Sequence, residues 1–370
     1  MCFPQRLAIV VLLLIPALAI GQNTAISIPA GTPEDKDLAA IAAEGDAAKR
    51  AAAYEDFIKK YADNKAAVAY AEWQLSQQYL AAGDHAKALQ WGDKALADYP
   101  NDLDIIVSDV NIATAMKDNS RIVDYATKGA AVYHSIAEQK KPADIDETEW
   151  KNRIVQEQAA AKSNYDFLET AAYNAIAAEQ DANKRMAYIE KFTPAFPKSQ
   201  FEQQVIQLAM MSLQQLNQPQ RLQSYGEKAL AANPDSIPTL LMLANSYAGD
   251  ARTASKAATY ANKVITLVGP APGDNTKKSY AGVAHTALGR ADLIQEKLPS
   301  AVNELKTAAG LLQDDPPDQQ VALYYLGYAS AKLNRKAESI AALEKAAAIN
   351  GPYQGPAKEM LNKVQAAGKK

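Results

Sequence analysis

The chain contains the same stretch of sequence twice. Residues 42–57 read AAEGDAAKRAAAYEDF and residues 177–192 read AAEQDANKRMAYIEKF. Ten of the sixteen positions are identical at an offset of 135 residues: Ala42, Ala43, Glu44, Asp46, Ala47, Lys49, Arg50, Ala52, Glu55 and Phe57. At one residue less, KALQWGDKALADYP (87–100) aligns with RLQSYGEKALAANP (221–234). There Gly92, Lys94, Ala95, Leu96, Ala97 and Pro100 recur as Gly226, Lys228, Ala229, Leu230, Ala231 and Pro234. Two collinear matches define a duplicated unit of about 135 residues. A chain that repeats itself buries each copy's apolar face against its neighbours, so it grows by stacking. Alanine is abundant and loses no side-chain entropy in a helix, while Gly and Pro punctuate the periodic stretches. The expected class is all-α.

A shorter period lies inside the copy. Leu75, Tyr79, Gly83, Ala88, Ala95 and Pro100 stand at the spacings of a repeat of about 34 residues. On these residues the chain resembles the tetratricopeptide-repeat (TPR) family. Residues 69–102 carry the pattern best, with Trp73 one place late and Ser76 in place of the usual small Gly or Ala. Windows 103–136 (Tyr125, Gly129), 203–236 (Ala229, Pro234), 237–270 (Leu243, Ala244, Tyr247), 282–315 (Leu288, Gly289, Ala301) and 320–353 (Leu326, Gly327, Leu343) follow. The segments ending near Ala62 and Pro197 fit half of the pattern. The resemblance implies a tetratricopeptide-type α-solenoid, a right-handed superhelix of antiparallel helix pairs. It divides the chain into a first unit at 35–170 and a second unit with C-terminal repeats at 171–368, expected as one continuous solenoid. Ala88, Ala95, Ala229, Ala301 and Ala308 should pack inward. Residues 137–150, 269–276 (GPAPGDNT) and 314–318 (DDPPD) break the pattern. In the first of these, the acids before Trp150 favour a helix start.

The family's first helices line a concave face, and its register implies which side chains point there. In the first unit these are Tyr70, Trp73, Gln77 and Asn111; in the second, Gln207, Met211, Gln214, Asn245, Arg290, Tyr324 and Tyr328. Amides pair with an extended backbone, and aromatic rings anchor side chains. Trp73 reads equally as a packing residue. Asn111 and Asn245 hold the same ninth position, where a solvated amide is the simpler reading.

The first residues read as an address. Arg6 precedes an apolar run from Leu7 to Ile20, and Ala17-Leu18-Ala19 gives a small-residue exit before Gln22. This is the order of a secretory signal, expected at 1–21 with a linker at 22–34. The run is shorter than the roughly 20 apolar residues of a spanning helix. Retention as an anchor is the competing reading, because no charge appears between Leu7 and Pro33. The expected location is the periplasm or the exterior of a bacterium, with no membrane span after cleavage. The sole cysteine, Cys2, precedes the apolar run, so a cleaved chain has no disulfide, thiol nucleophile or cysteine metal ligand.

Chemistry is sparse elsewhere. The net charge is −3 with lysines scattered among acids, which argues against nucleic-acid binding. His85, His134 and His285 stand apart, and no nucleophile, metal or phosphate-binding motif accompanies them. No catalytic, metal or cofactor residue is assigned. The expectation is an exported scaffold or adaptor holding a protein or peptide partner, not an enzyme. The alternative is binding of an envelope polymer, glycan or peptidoglycan; an uncharacterised hydrolase ranks last.

Overall fold

The computed structural model describes residues 25–269 and 273–366. The expected signal at 1–21 and part of the 269–276 breaker therefore lie outside the described residues. The described residues form seventeen helices. The first seven are α1 (Pro33–Ala42), α2 (Ala47–Lys60), α3 (Lys65–Ala81), α4 (His85–Asp98), α5 (Leu103–Ala115), α6 (Asn119–Ala137) and the long α7 (Glu147–Ala178). Next come α8 (Ala182–Ala195), α9 (Glu202–Gln215), α10 (Pro219–Ala232), α11 (Ile237–Tyr247) and α12 (Ala254–Val268). The last five are α13 (Asn275–Ile294), α14 (Leu298–Leu311), α15 (Pro316–Lys332), α16 (Lys336–Ala348) and α17 (Gln354–Ala366). Within each unit most helices pack mainly on their neighbours in sequence, and short turns make those neighbours antiparallel. This is the tetratricopeptide-type helix-pair architecture, all-α as expected. Three of the six expected windows begin where first helices begin, at Leu103, beside Glu202 and at Ile237, whereas 69–102, 282–315 and 320–353 begin four to seven residues inside α3, α13 and α15. His85 opens α4.

The chain divides into two compact units, one of Met1–Ala178 with Pro194–Pro197, the other of Glu179–Thr193 with Lys198–Lys370. The duplication is repeated in their local geometry. In the first unit Asp46 Oδ1 caps α2 by accepting from the Ala48 and Lys49 amides at 2.9 and 3.0 Å, and Arg50 donates to the Glu44 carbonyl at 2.7 Å. In the second unit Asp181 Oδ1 caps α8 from Asn183 and Lys184 at 2.8 and 3.0 Å, and Arg185 donates to the Glu179 carbonyl at 3.0 Å. A second constellation also recurs. Asp93 accepts from the Tyr125 hydroxyl at 2.5 Å and pairs with Arg121 at 3.0 Å. Glu227 accepts from Tyr260 at 2.7 Å and from Tyr247 at 2.8 Å, with Lys256 at 3.6 Å.

Helix pairs close through the same turn five times. Gly83, Lys117, Asn217, Glu296 and Asn334 all have positive φ, between 51° and 77°. The next amide then reaches back over the turn: Asp84 to the Tyr79 carbonyl, Asp118 to Ala113, Gln218 to Leu213, Lys297 to Asp292 and Arg335 to Ser330, at 2.9–3.0 Å. This left-handed closure satisfies carbonyls that a helix end leaves free.

Ala88, Ala95, Ala229, Ala301 and Ala308 are fully buried, so the inward register is as expected. Small residues let the pairs approach closely. Gly226, for example, seats the side chains of Leu243 and Met210. Asp146 caps α7 through the Thr148 and Glu149 amides, so the acidic run does start a helix, three residues before Trp150. Ile26 donates to Asp102 Oδ2 at 2.7 Å, and Ile28 packs on the Tyr54–Phe57–Leu75 core. These contacts tie the stretch expected as a linker to the first unit.

Candidate functional site: the first-helix groove of the second unit

The first helices α9, α11, α13 and α15 of the second unit, with Tyr353 just before α17, surround an open groove of about 700 Å³. Helical spacing builds its walls. Tyr280, Val283, Thr286 and Arg290 follow one another by three or four residues along one face of α13, as do Pro238, Leu241 and Asn245 on α11, where Met242 adjoins Leu241. Gln214, Asn217 and Gln218 close one side from α9 and its turn, and Asp318 and Val321 the other from α15.

Arg290 is the cation of this groove. Its Nη1 donates to Asn245 Oδ1 at 3.3 Å, and the guanidinium stands 5.0 Å from the centroid of the Tyr325 ring. No carboxylate among the described residues pairs with it. Asn245 and Tyr325 therefore orient the fork without neutralising it, and the remaining N–H donors face a groove that a carboxylate can enter. Tyr325 belongs to a ring cluster with Tyr324 and Tyr353, the centroids 4.9–5.8 Å apart. Tyr353 meets the Tyr325 hydroxyl at 3.4 Å; burial, reinforced by that hydrogen bond, pushes its phenol up to about 12.

The acidic feature is Asp318, half-buried in the first turn of α15. Burial first, and then the charge of Asp315, raise its pKa above the usual carboxylate range. Asp315 itself accepts from the Ser279 hydroxyl at 3.0 Å, which places the start of α15 beside the start of α13. Ser279 and Arg290 are separated by eleven residues of one helix, about 16 Å. The groove is thus bipolar along α13, acidic toward one end and cationic toward the other.

Of the residues singled out from sequence, Gln214, Asn245 and Arg290 meet in this groove. Gln207 is half-buried and Met211 is 47% exposed on α9, and neither lines it. Tyr324 packs against the Leu323–Leu343 core and Tyr328 against the Leu305–Leu326 core, so both are partly committed to packing. In the first unit, Tyr70 packs on the Leu75 core and meets Trp73 edge-on at 6.1 Å. The Trp73 indole nitrogen is buried, which fits packing better than anchoring. Gln77 donates to Ser108 Oγ at 2.6 Å and bridges α3 to α5, while Asn111 is exposed on α5. Sequence reading did not single out Tyr353, Tyr280, Asp318 or Thr286. Tyr353 lies in the irregular GPYQGP segment, where no helical period points to it.

His285, isolated in the sequence, is paired in the structure: its Nδ1 lies 2.6 Å from Glu304 Oε2 on α14. That pair is not among the groove's lining residues. Among the described residues no group of three or more His, Cys, Asp or Glu is placed to hold a metal, and no helix is long and apolar enough to cross a membrane.

Three solved structures are similar in fold. The TPR domain of P58(IPK) shares 14% identity, with 91% of this chain and 99% of that one covered and a TM-score of 0.30. A tetratricopeptide-repeat protein of Parabacteroides merdae shares 13%, covering 84% and 98%, with a TM-score of 0.38. The C-terminal part of a TPR repeat-containing protein of Cytophaga hutchinsonii shares 15%, covering 67% and 97%, with a TM-score of 0.30. No family model and no curated protein matches the chain.

Proposed function

We propose that this chain is an exported, non-catalytic scaffold that holds an extended peptide segment of a protein partner in the groove of its second unit. The observation that carries the reading is Arg290, a half-buried cation oriented by Asn245 and Tyr325 yet left without a carboxylate among the described residues. A peptide places an acidic side chain or its C-terminus there, and a basic group toward Asp318. Extended chain rises about 3.3 Å per residue, so the roughly 16 Å between those ends suits about five residues. Gln214 and Asn245 offer amides to its backbone, and Tyr280 and Tyr353 offer ring faces. The volume, about 700 Å³, is within the usual range of ligand sites. Export rests on the order of Arg6, the apolar run and Ala17-Leu18-Ala19.

The test is selection of a random-sequence peptide library on the purified full chain, followed by titration of the selected peptides. Peptides with a carboxylate at one fixed position should emerge, and Arg290→Ala should weaken them by about tenfold or more, as expected for loss of a charge-assisted hydrogen bond. Selection of no defined peptide, or peptides held equally by Arg290→Ala, overturns the reading. If instead the chain sediments with purified sacculi and Tyr353→Ala abolishes this, the groove takes an envelope polymer. Cell fractionation with N-terminal sequencing of the protein tests export.

A further inference from the structure

The two copies differ at one buried seam. In the second unit a Cβ on Gly226 would come within 2.7 Å of the Leu243 side chain and 2.9 Å of Met210 Cε, so that seam is apolar. At the duplication offset of 134 residues, Gly226, Leu243 and Met210 correspond to Gly92, Asp109 and Ser76. The same offset pairs Ile206 with Glu72. Where the second copy places Leu, Met and Ile, the first places two acids and a hydroxyl.

These groups are fully enclosed. Asp109 and Ser76 are 0% exposed and Glu72 is 6% exposed. Both Asp109 oxygens, Ser76 Oγ and Glu72 Oε2 are buried without a hydrogen-bond partner among the described residues. A Cβ on Gly92 would lie 1.9 Å from Asp109 Oδ1, so the carboxyl fills the notch that leucine fills in the other copy. A buried carboxylate with no donor is far costlier than a buried neutral acid.

The charges around the two acids do not offset this. Asp109 is faced by Asp93 from α4 and by Lys128, Arg121 and Tyr125 from α6. Arg121 and the Tyr125 hydroxyl are already engaged by Asp93. Burial, then repulsion from Asp93, outweighs the two cations and pushes Asp109 up to about 8. Glu72 is faced by Asp98 and Lys94 from α4 and by Lys65 on its own helix; burial, then Asp98, pushes it up to about 7. Lys65 is engaged by Asp98 at 2.6 Å.

We propose that this acidic seam makes the first unit a pH-responsive helix stack, in which α3, α4 and α5 pack tightly while Asp109 and Glu72 carry their protons and part locally as they ionise. The sign follows from proton linkage. Unfolded, both acids ionise near pH 4, whereas folded they keep their protons to higher pH, so the folded state binds more protons over that interval. The seam's contribution to stability is therefore fully present below about pH 4, falls as pH rises through the interval, and is spent above about 8. Gln77 and Asn111 ride on the same helices, so the Gln77–Ser108 bridge between α3 and α5 loosens with the seam.

Hydrogen exchange of the full chain between about pH 5.5 and 8.5 tests this, once the intrinsic exchange chemistry is divided out. The second copy supplies the reference, because α9 to α11 carry the apolar version of the seam. Opening in α3–α5 should rise by up to about tenfold per pH unit for each proton released, while α9–α11 stays flat. Asp109→Leu, which installs the second copy's residue, should abolish the slope above about pH 7 and leave only Glu72's share below it. Asp109→Asn, close in shape and uncharged, should do the same if the leucine does not fold. Parallel slopes in the two segments, or an unchanged α3–α5 slope in a folded Asp109 variant, overturn the proposal.

Discussion

A methyl group on Gly327 would press to within 2.5 Å of Leu343 Cγ and 3.3 Å of the Ser339 carbonyl oxygen. The leucine belongs to the buried core of the last helix pairs and the carbonyl to a helix backbone, so neither yields freely. Gly327→Ala is expected to destabilise the second unit by about 1–3 kcal/mol, the usual cost of overpacking, read as a lower urea midpoint at unchanged slope. Gly310 is the control: nothing lies within 4 Å of its Cβ position, so its alanine variant should gain a few tenths of a kcal/mol from helix propensity alone. The sequence showed Gly327 as a repeat position. That Leu343 holds it in place is decided by the neighbouring helix.

At the scale of an element, α5 depends on one buried cap. Asp102 Oδ1 accepts from the Asp104 and Ile105 amides at 2.9 and 3.0 Å, and Oδ2 holds the Ile26 amide. Burial raises the Asp102 pKa, while its backbone hydrogen bonds lower it. Asp102→Ala removes the cap and the tether together, and is expected to cost about 1–2 kcal/mol. Limited proteolysis near Ile26 should speed up in step with the lower urea midpoint. The cap has a local signature, an Asp before an apolar run, although the sequence reading did not single it out. The tether has none, because it joins residues 76 apart in the chain. The closing turns divide in the same way. Gly83 and Asn217 are residues that favour positive φ, whereas Lys117 and Glu296 adopt it because the helix pair already packed on each side demands it.

For each unit as a whole, stability follows from stacking, and the last helix of the second unit shows this. α17 lays Ala357, Met360, Leu361 and Val364 over Leu323, Leu343 and Ala346, while Lys358, Glu359, Asn362 and Lys363 are exposed. It therefore acts as a cap with a polar outer side, as terminal repeats of stacked arrays require. Deleting residues from Gly351 onward should expose that core. The expected outcome is a second unit several kcal/mol less stable and prone to associate, seen as a lower melting temperature and a larger species in light scattering. The deletion also removes Tyr353 from the groove, so selected peptides should bind the truncated chain more weakly.

The sequence by itself determined the helix class, the repeat frame, the inward alanines, the helix-starting acids and three members of the candidate groove. The helix class, the repeat length and the helix start follow from local spacing read along the chain; the inward alanines and the three groove members follow from the register of the family that the chain resembles. Only the tertiary structure decided that Arg290 meets no carboxylate among the described residues, that Tyr353 joins Tyr324 and Tyr325, that His285 meets Glu304 and that Trp73 turns its nitrogen inward. It also decided that both Asp109 oxygens and Glu72 Oε2 are enclosed without a donor among the described residues. In the sequence these are ordinary helix-surface acids, since no local rule separates a solvated carboxylate from a buried one. Their state depends on which distant helix covers them, and the duplication supplies the comparison: one fold position holds Leu243 in one copy and Asp109 in the other.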